Sequence, residues 1–223
     1  MENVPYATIV RRLVVSDDHH RSAPTFVPST GFADTLGDAM SDNTIDIRVA
    51  VIEDCEEIER LITDSARVLG RAYYTDAEIE AALRSSWGLD TQLVRDGTYF
   101  LAFCGGVLAG CGGWSFRRTL FGSDAGSSRD DTILDPQTDA ARIRAFFVSP
   151  RFARLGIGSM LLGRCEQEAR AAGFRALCLT ATHPGQHLYA ARGFMAGQPF
   201  VEDLGRGIKV PVIPMKKILD EDS

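Results

Sequence analysis

From Thr44 onward, apolar and polar positions fall into short, regular patterns. Ile45, Ile47 and Val49 alternate with polar residues, the period-2 signature of a half-buried strand. The period then changes. Over 54–69, Ile58, Leu61, Ile62, Ala66 and Leu69 share one helical face, and Gly70 ends the run. Thr75-Asp76-Ala77-Glu78 has the spacing of a capping box and predicts a helix carrying Ile79, Leu83 and Trp87. Two apolar runs, 99–104 and 107–116, are joined by Gly105-Gly106 and predict a hairpin. Residues 117–140 lack periodicity and carry Asp124, Asp130, Asp131, Asp135 and Asp139. They read as a long loop, a length uncommon in compact domains unless functional or mobile.

The second half is read in the same way. A strand over 142–148 is rich in Ile and Phe. A helix over 157–172 places Ile157, Met160, Leu161, Cys165 and Ala169 in one stripe and stops at Gly173. A strand over 176–181, a short helix over 186–192 ended by Gly193, and two closing strands over 194–201 and 208–219 complete the pattern. Pro211 and Pro214 mark the last strand as an edge or a bulged one. This order predicts an α/β fold, a sandwich with a mixed sheet rather than a doubly wound one. Before residue 44 the periodicity disappears among Asp17-Asp18-His19-His20, Pro24 and Pro28. Residues 1–43 read as an irregular extension with at most an edge strand over 4–15, residues 44–219 as the domain, and 220–223 as a tail.

Composition narrows the function classes. The 223 residues, 45% hydrophobic and 24% charged, suit one well-buried domain plus an appendage. The net charge is -6, and basic residues cluster no further than pairs such as Arg11-Arg12, Arg117-Arg118 and Lys216-Lys217. This disfavours nucleic acid, whose phosphates need clustered Lys and Arg. No apolar run approaches the ~18 residues of a membrane span, and no signal peptide is evident. The five cysteines, Cys55, Cys104, Cys111, Cys165 and Cys178, form no CxxC pair. They read as buried free thiols in a reducing cytoplasm, with no metal site.

The chemically informative stretch is 142–160. A strand ends at Val148-Ser149-Pro150, a turn containing Gly156-Ile157-Gly158 follows, and a helix begins. The first N–H groups of a helix have no partners within it, and together with the helix dipole they suit an anion. Glycines there admit a phosphate without a Cβ in the way. Arg151 and Arg154 add positive charge. A P-loop would need a Lys that is absent, and a dinucleotide fingerprint a third Gly where Leu161 stands.

The run Val148-Ser149-Pro150-Arg151-Phe152-Ala153-Arg154-Leu155-Gly156-Ile157-Gly158-Ser159 resembles the acyl-CoA motif of the GNAT superfamily of N-acetyltransferases. Leu188-Tyr189-Ala190-Ala191-Arg192-Gly193-Phe194 is similar to that family's downstream motif. Two positions depart from the pattern. Ala153 replaces the usual Gln or Arg, and Thr182 stands where an Asn is often found.

The resemblance implies a mixed, mostly antiparallel central sheet with helices on both faces and a splayed pair of parallel strands. It implies that the strand edge at Phe146, Phe147 and Val148 bonds the pantetheine arm of acetyl-CoA. Amides of Arg154, Leu155, Gly156, Ile157, Gly158 and Ser159 would hold the pyrophosphate. It also implies Tyr189 as the acid that protonates the leaving sulfur, and an oxyanion donor among the backbone N–H groups at Phe147 or Val148.

The chemistry needs a base to free the amine, donors for an oxyanion and an acid for the thiolate. His183, after the strand end at Ala181, is a candidate base with an ordinary pKa of about 6.5, or else a loop residue before Pro184. By period-2 alternation Arg142, Arg144, Phe146 and Val148 share one strand face. Arg142 or Arg144 there would bind an acceptor carboxylate or simply be solvated. Trp114 would form an acceptor wall or be partly core. The acceptor is expected to be a small-molecule or peptide amine, with no nucleic acid or membrane partner, and a homodimer through exposed strand edges stays open. The rival reading is a coenzyme A-binding sensor or docking domain without turnover.

Overall fold

The computed structural model describes residues 44–125 and 129–219. The expected irregular extension, its edge strand over 4–15 and the C-terminal tail lie outside the described residues. The alternation at Ile45, Ile47 and Val49 forms β1 (Ile45–Val49), which pairs antiparallel with β2 (Tyr99–Cys104). The Gly105-Gly106 turn returns the chain as β3 (Val107–Ser115), with both glycines at positive φ. β4 (Ala141–Val148) continues the sheet antiparallel, and β5 (Ala176–Ala181) lies parallel to β4. The strand order is β1-β2-β3-β4-β5-β8-β6, where β6 is Met195–Ala196 and β8 is Lys209–Ile218. β7 (Phe200–Asp203) also pairs with β8. The fold is therefore α/β with a mixed, mostly antiparallel sheet, and β4–β5 is its one parallel pair among the described residues.

Alternation along the central strands explains the two helical layers. Tyr99, Leu101 and Cys111 pack with Ile58, Leu61 and Ile62 of α1 (Cys55–Leu69) and with Leu93. Phe100, one residue out of phase, lies under the guanidinium of Arg164 on α4 (Ile157–Ala171), on the opposite face. The capping box holds as read. The Thr75 amide donates to Glu78 (2.8 Å), the Glu78 amide donates to Thr75 Oγ1 (3.3 Å), and α2 spans Asp76–Leu83. No helix among the described residues is long and apolar enough to cross a membrane.

Several local readings change, beginning with α2, which ends at Leu83 and leaves Trp87 beyond it. A short helix α3 (Thr91–Asp96) lacks a periodic signature; Asp124 caps its start by accepting from the Thr91 amide at 3.1 Å. α5 runs His183–Ala191, three residues earlier than the sequence reading, because Pro184 sits in its first turn, where a missing N–H costs nothing.

The strand expected over 194–201 is broken between β6 and β7. β8 is no edge but is paired on both sides, with β5 on one and β6 and β7 on the other. The Pro214 carbonyl accepts from Gly197 (2.8 Å), so the proline's missing N–H faces the gap between β6 and β7. Pro211 falls beyond the last β5 pair, Ala181↔Ile213, and forfeits no ladder bond there.

The described parts of 117–140, finally, pair with each other rather than forming an open loop. They pair through Arg117↔Ile133, with the Arg118 amide on the Thr132 carbonyl and the Leu134 amide on that of Phe116.

Candidate active site

The parallel pair β4–β5 sets the site. Its register contains two pairs, Ala141↔Leu177 and Arg142↔Cys178, after which the strands part. The backbone of 143–148 is therefore unpaired on its β5 side. On the β3 side the register slips, with Gly113 opposite Arg144 and Cys111 opposite Phe147, so two β4 residues face Gly112. This is a β-bulge, and Ala145 takes the strained φ of +55° within it. Tyr99 pins the bulge from below, its fully buried hydroxyl donating to the Ala145 carbonyl at 3.0 Å.

The bulge corrects the expected strand face. Without it Arg142, Arg144, Phe146 and Val148 would point the same way. With one extra residue, Arg144 turns to Asp90, ahead of α3, whereas Phe146 turns to Tyr189 of α5. Gly112 makes room for that turn, since a Cβ there would lie 2.7 Å from the Phe146 ring.

The opened strands enclose a cavity of about 290 Å³. One wall is β4 from Ile143 to Val148; the other is Thr180, Thr182, Leu188 and Tyr189. Leu120, Phe121 and Gly122 of the stretch 117–140, together with Trp87, Glu202 and Val212, complete it. Tyr189 is 8% exposed, its ring clamped edge-to-face between Phe146 (6.2 Å) and Phe194 (5.7 Å). Burial pushes its phenol well above the usual tyrosine range, so it stays protonated throughout the neutral range.

At the end of β4 the chain makes a turn of 3-10 helix (Pro150–Phe152), passes Arg154 at φ +68° and Gly156 at φ +82°, and enters α4. The first α4 hydrogen bond here runs from the Met160 amide to the Gly156 carbonyl (3.1 Å). The amides of Ile157, Gly158 and Ser159 precede it and are not used by the helix. A Cβ on Gly156 would meet nothing within 4 Å, so this side of the turn is open; its φ explains the glycine. Phe146, Phe147, Val148 and Gly158 line the cavity, while Arg154, Leu155, Gly156, Ile157 and Ser159 lie on the adjoining turn and first helical turn. The Phe147 side chain packs into the core against α1, so its share of the cavity is largely backbone.

The remaining candidates separate. His183 opens α5 and donates its backbone amide to the Tyr74 hydroxyl (3.0 Å); it does not line the cavity, although Thr182 and Pro184 beside it do. Arg142 also lies off the cavity, with its guanidinium on the Cys178 sulfur. Trp114 is 2% exposed in the core, edge-on to Phe116 and Phe174, and forms no cavity wall. Arg144 does line the cavity, but its guanidinium lies 3.1 Å from a fully buried Asp90 carboxylate. Arg129 pairs with the other Asp90 oxygen and with Asp124. Burial lowers the Arg144 pKa and raises that of Asp90, while each charge favours the other. The five loop aspartates are absent from the cavity lining.

Two contributors escaped the sequence reading. Asp90 carries no local signal, because its partners lie 39 and 54 positions away in Arg129 and Arg144. Glu202 sits on a ribbon whose contact with the helices is purely tertiary, and its alternation with Val201 and Asp203 marks only a strand.

The profile of the Acetyltransferase (GNAT) family matches residues 56–194. No curated protein matches the chain. Among solved structures, a GCN5-related N-acetyltransferase from Rhodopseudomonas palustris is similar at 19% identity and a TM-score of 0.58, over 82% of this chain and 100% of that one. The PaiA N-acetyltransferase from Thermoplasma acidophilum, in complex with coenzyme A, follows at 20% identity and 0.55, over 78% and 99%. YncA from Salmonella typhimurium, with its cofactor acetyl-CoA, gives 18% and 0.54, over 81% and 97%. The family profile spans more than half the chain, including the turn at Gly156 and the Tyr189 helix, and the strand order with its single splayed parallel pair accords with it: the chain belongs to the GNAT acetyltransferase family.

Proposed function

We propose that this protein transfers the acetyl group of acetyl-CoA to a primary amine by direct attack in a ternary complex. The observation that carries the reading is the convergence of the unpaired β4 edge, the free amides at the start of α4 and Tyr189 on one cavity. The solved relatives with coenzyme A and acetyl-CoA support it. Bound acetyl-CoA supplies an activated acyl thioester, and the chain supplies the rest. Backbone groups of Phe146, Phe147 and Val148 hold an extended arm as an added strand would be held. The amides of 154–159 and the α4 dipole receive the pyrophosphate. A backbone N–H of the bulged strand, at Phe147 or Val148, faces the developing oxyanion. Tyr189, protonated at neutral pH, gives its proton to the departing sulfur.

A thiol-release assay with acetyl-CoA and a panel of primary amines tests the reading. Amine-dependent thiol release supports it. Tight coenzyme A binding without turnover on any amine would replace it with a sensor or docking role.

The cofactor half has its own test. Gly156→Glu places a carboxylate where the pyrophosphate is to sit, on a backbone with φ +82°. Coenzyme A affinity, read by calorimetry on the folded variant, is expected to fall by about a hundredfold or more, since each ~1.4 kcal/mol of repulsion is worth tenfold. Gly156→Asn, which tolerates the left-handed backbone without a charge, is expected to bind far better than the Glu variant. Equal affinities for Gly156→Glu and wild type would remove the anion site from this turn.

A further inference from the structure

A base for the acceptor amine has to stand in the cavity lining. Among the described residues that line it, three side chains are ionisable: Arg144, Tyr189 and Glu202. Two of them cannot accept a proton from an ammonium near neutral pH. Arg144 is a guanidinium already facing Asp90, and Tyr189 is a protonated phenol. Glu202 is left. It sits half-buried on β7, where it pairs with Val210 of β8, and the adjoining ribbon packs through Val210 and Val212 against Ala66 and Ile79. Ser86, whose hydroxyl bears on the Glu202 carboxylate, lies in the same lining. Ala66, Leu69, Trp87 and Val212 give the cavity lining apolar surface.

We infer that Glu202 receives the ammonium of the acceptor and takes its proton, and that the acceptor is a primary amine on an apolar body without a carboxylate. The inference rests on the acetyltransferase reading and deepens it. The ammonium passes one N–H proton to a Glu202 carboxylate oxygen. The freed nitrogen lone pair forms the C–N bond to the acyl carbon, the C–S bond breaks with its electron pair on sulfur, and the thiolate takes its proton from Tyr189. The second proton on the new amide nitrogen restores the Tyr189 phenol, and Glu202 releases its proton to solvent. The carboxylate-free class follows from Arg144. Its charge is already matched by Asp90, so an acceptor carboxylate would enter an apolar cavity beside Glu202 with no unpaired cation among the lining residues to meet it.

Burial raises the Glu202 pKa, with the Ser86 hydroxyl partly offsetting it, and brings the group closer to the working pH of a base. The titratable groups around it are Tyr74 on the segment before α2, whose own phenol is pushed up chiefly by burial, Asp203 and Lys209 on the ribbon, and Arg144 and Tyr189 in the cavity. None is paired with Glu202 in a salt bridge among the described residues.

The experiment compares wild type with Glu202→Gln and Glu202→Asp, using 2-phenylethylamine and phenylalanine as probes and reading kcat/KM for thiol release from about pH 6 to 10. With 2-phenylethylamine, Glu202→Gln is expected to lose about 10²- to 10⁴-fold near neutral pH. The deficit should close as the pH approaches the amine's own pKa, where free amine needs no base. Glu202→Asp is expected to recover part of the loss. Phenylalanine is expected to be at least about a hundredfold poorer than 2-phenylethylamine on wild type. Calorimetry of 2-phenylethylamine binding to the coenzyme A complex gives a readout apart from turnover, and Glu202→Gln should weaken it while coenzyme A affinity holds. A Glu202→Gln deficit that is absent, or constant across pH, overturns the assignment of Glu202 and leaves the acetyltransferase reading intact. Phenylalanine matching the amine overturns the acceptor class. No thiol release with any amine sinks the acetyltransferase reading itself.

Discussion

Replacing Tyr189 by Phe is expected to lower kcat for acetyl transfer by about 10²- to 10⁴-fold, the usual range for loss of a general acid. Once the amine has attacked, the sulfur must leave. A free thiol has a pKa of about 8.5 and a phenol of about 10, so proton transfer in water is uphill by roughly 2 kcal/mol. In a poorly solvated cavity burial makes the thiolate more basic but raises the phenol pKa as well, so Tyr189 assists as a positioned donor to the sulfur rather than through a favourable pKa match. The structure places the phenol ring there under tight control, between Phe146 and Phe194 and 8% exposed. Phe at 189 keeps both ring contacts and removes the hydroxyl alone, so stability and acetyl-CoA affinity should change little. Because burial raises the Tyr189 pKa, the proton is lost only as pH rises past the usual phenol value. The wild-type rate should therefore show no alkaline decline from this group below about pH 10. The measurement is kcat under conditions where chemistry limits turnover, shown by insensitivity to added viscogen. A wild-type kcat for Tyr189→Phe under those conditions would reduce Tyr189 to a packing residue.

The largest effect on stability is expected at Asp90. Its carboxylate is fully buried and faces Arg144, whose side chain is 3% exposed, at 3.1 Å; Arg129 holds the other oxygen. Asp90→Ala leaves the Arg144 charge buried and unpaired, a change that costs about 3–5 kcal/mol. That is a large part of the roughly 5–15 kcal/mol that holds a domain folded. Urea denaturation should show a lower midpoint at an unchanged slope. Removing the second charge as well, in Asp90→Ala with Arg144→Met, should recover part of the loss, because neither group is then stranded. Gly122→Ala tests the same pair by contact, since its Cβ would collide with Asp90 Oδ2 and lie 3.0 Å from Arg144 Cζ. It should displace the carboxylate and with it the cavity wall at Leu120 and Phe121. An Asp90→Ala midpoint equal to wild type would show that the pair contributes nothing to the fold.

Several features of this protein are local, and the sequence determines them by itself. The Thr75–Glu78 capping box, the Gly105-Gly106 turn, the α4 stripe of Ile157, Leu161, Cys165 and Ala169 (from which Met160 turns out, exposed) and the glycine turn ahead of it depend on residues within a few positions of one another. Their physics, namely capping, left-handed backbone and helical period, is complete at that range. The alternation in β1 similarly predicts that Ile45 and Ile47 are half-buried while Asp46 and Arg48 are exposed.

The tertiary structure decides the rest. The extra residue at Ala145 flips Arg144 away from Phe146, and it is held by a Tyr99 hydroxyl 46 positions away, so strand period alone aims the arginine wrongly. Pro214 breaks the strand expected over 194–201 because of which neighbour its missing N–H faces, and that depends on the pairing of the whole sheet. Asp90 converts Arg144 from a free guanidinium into half of a buried pair, and Glu202 reaches the cavity because a ribbon at the end of the chain folds over α1 and α2. Each of these effects joins groups far apart in the chain. Burial and charge pairing, which set their chemistry, exist only once those groups have been brought together.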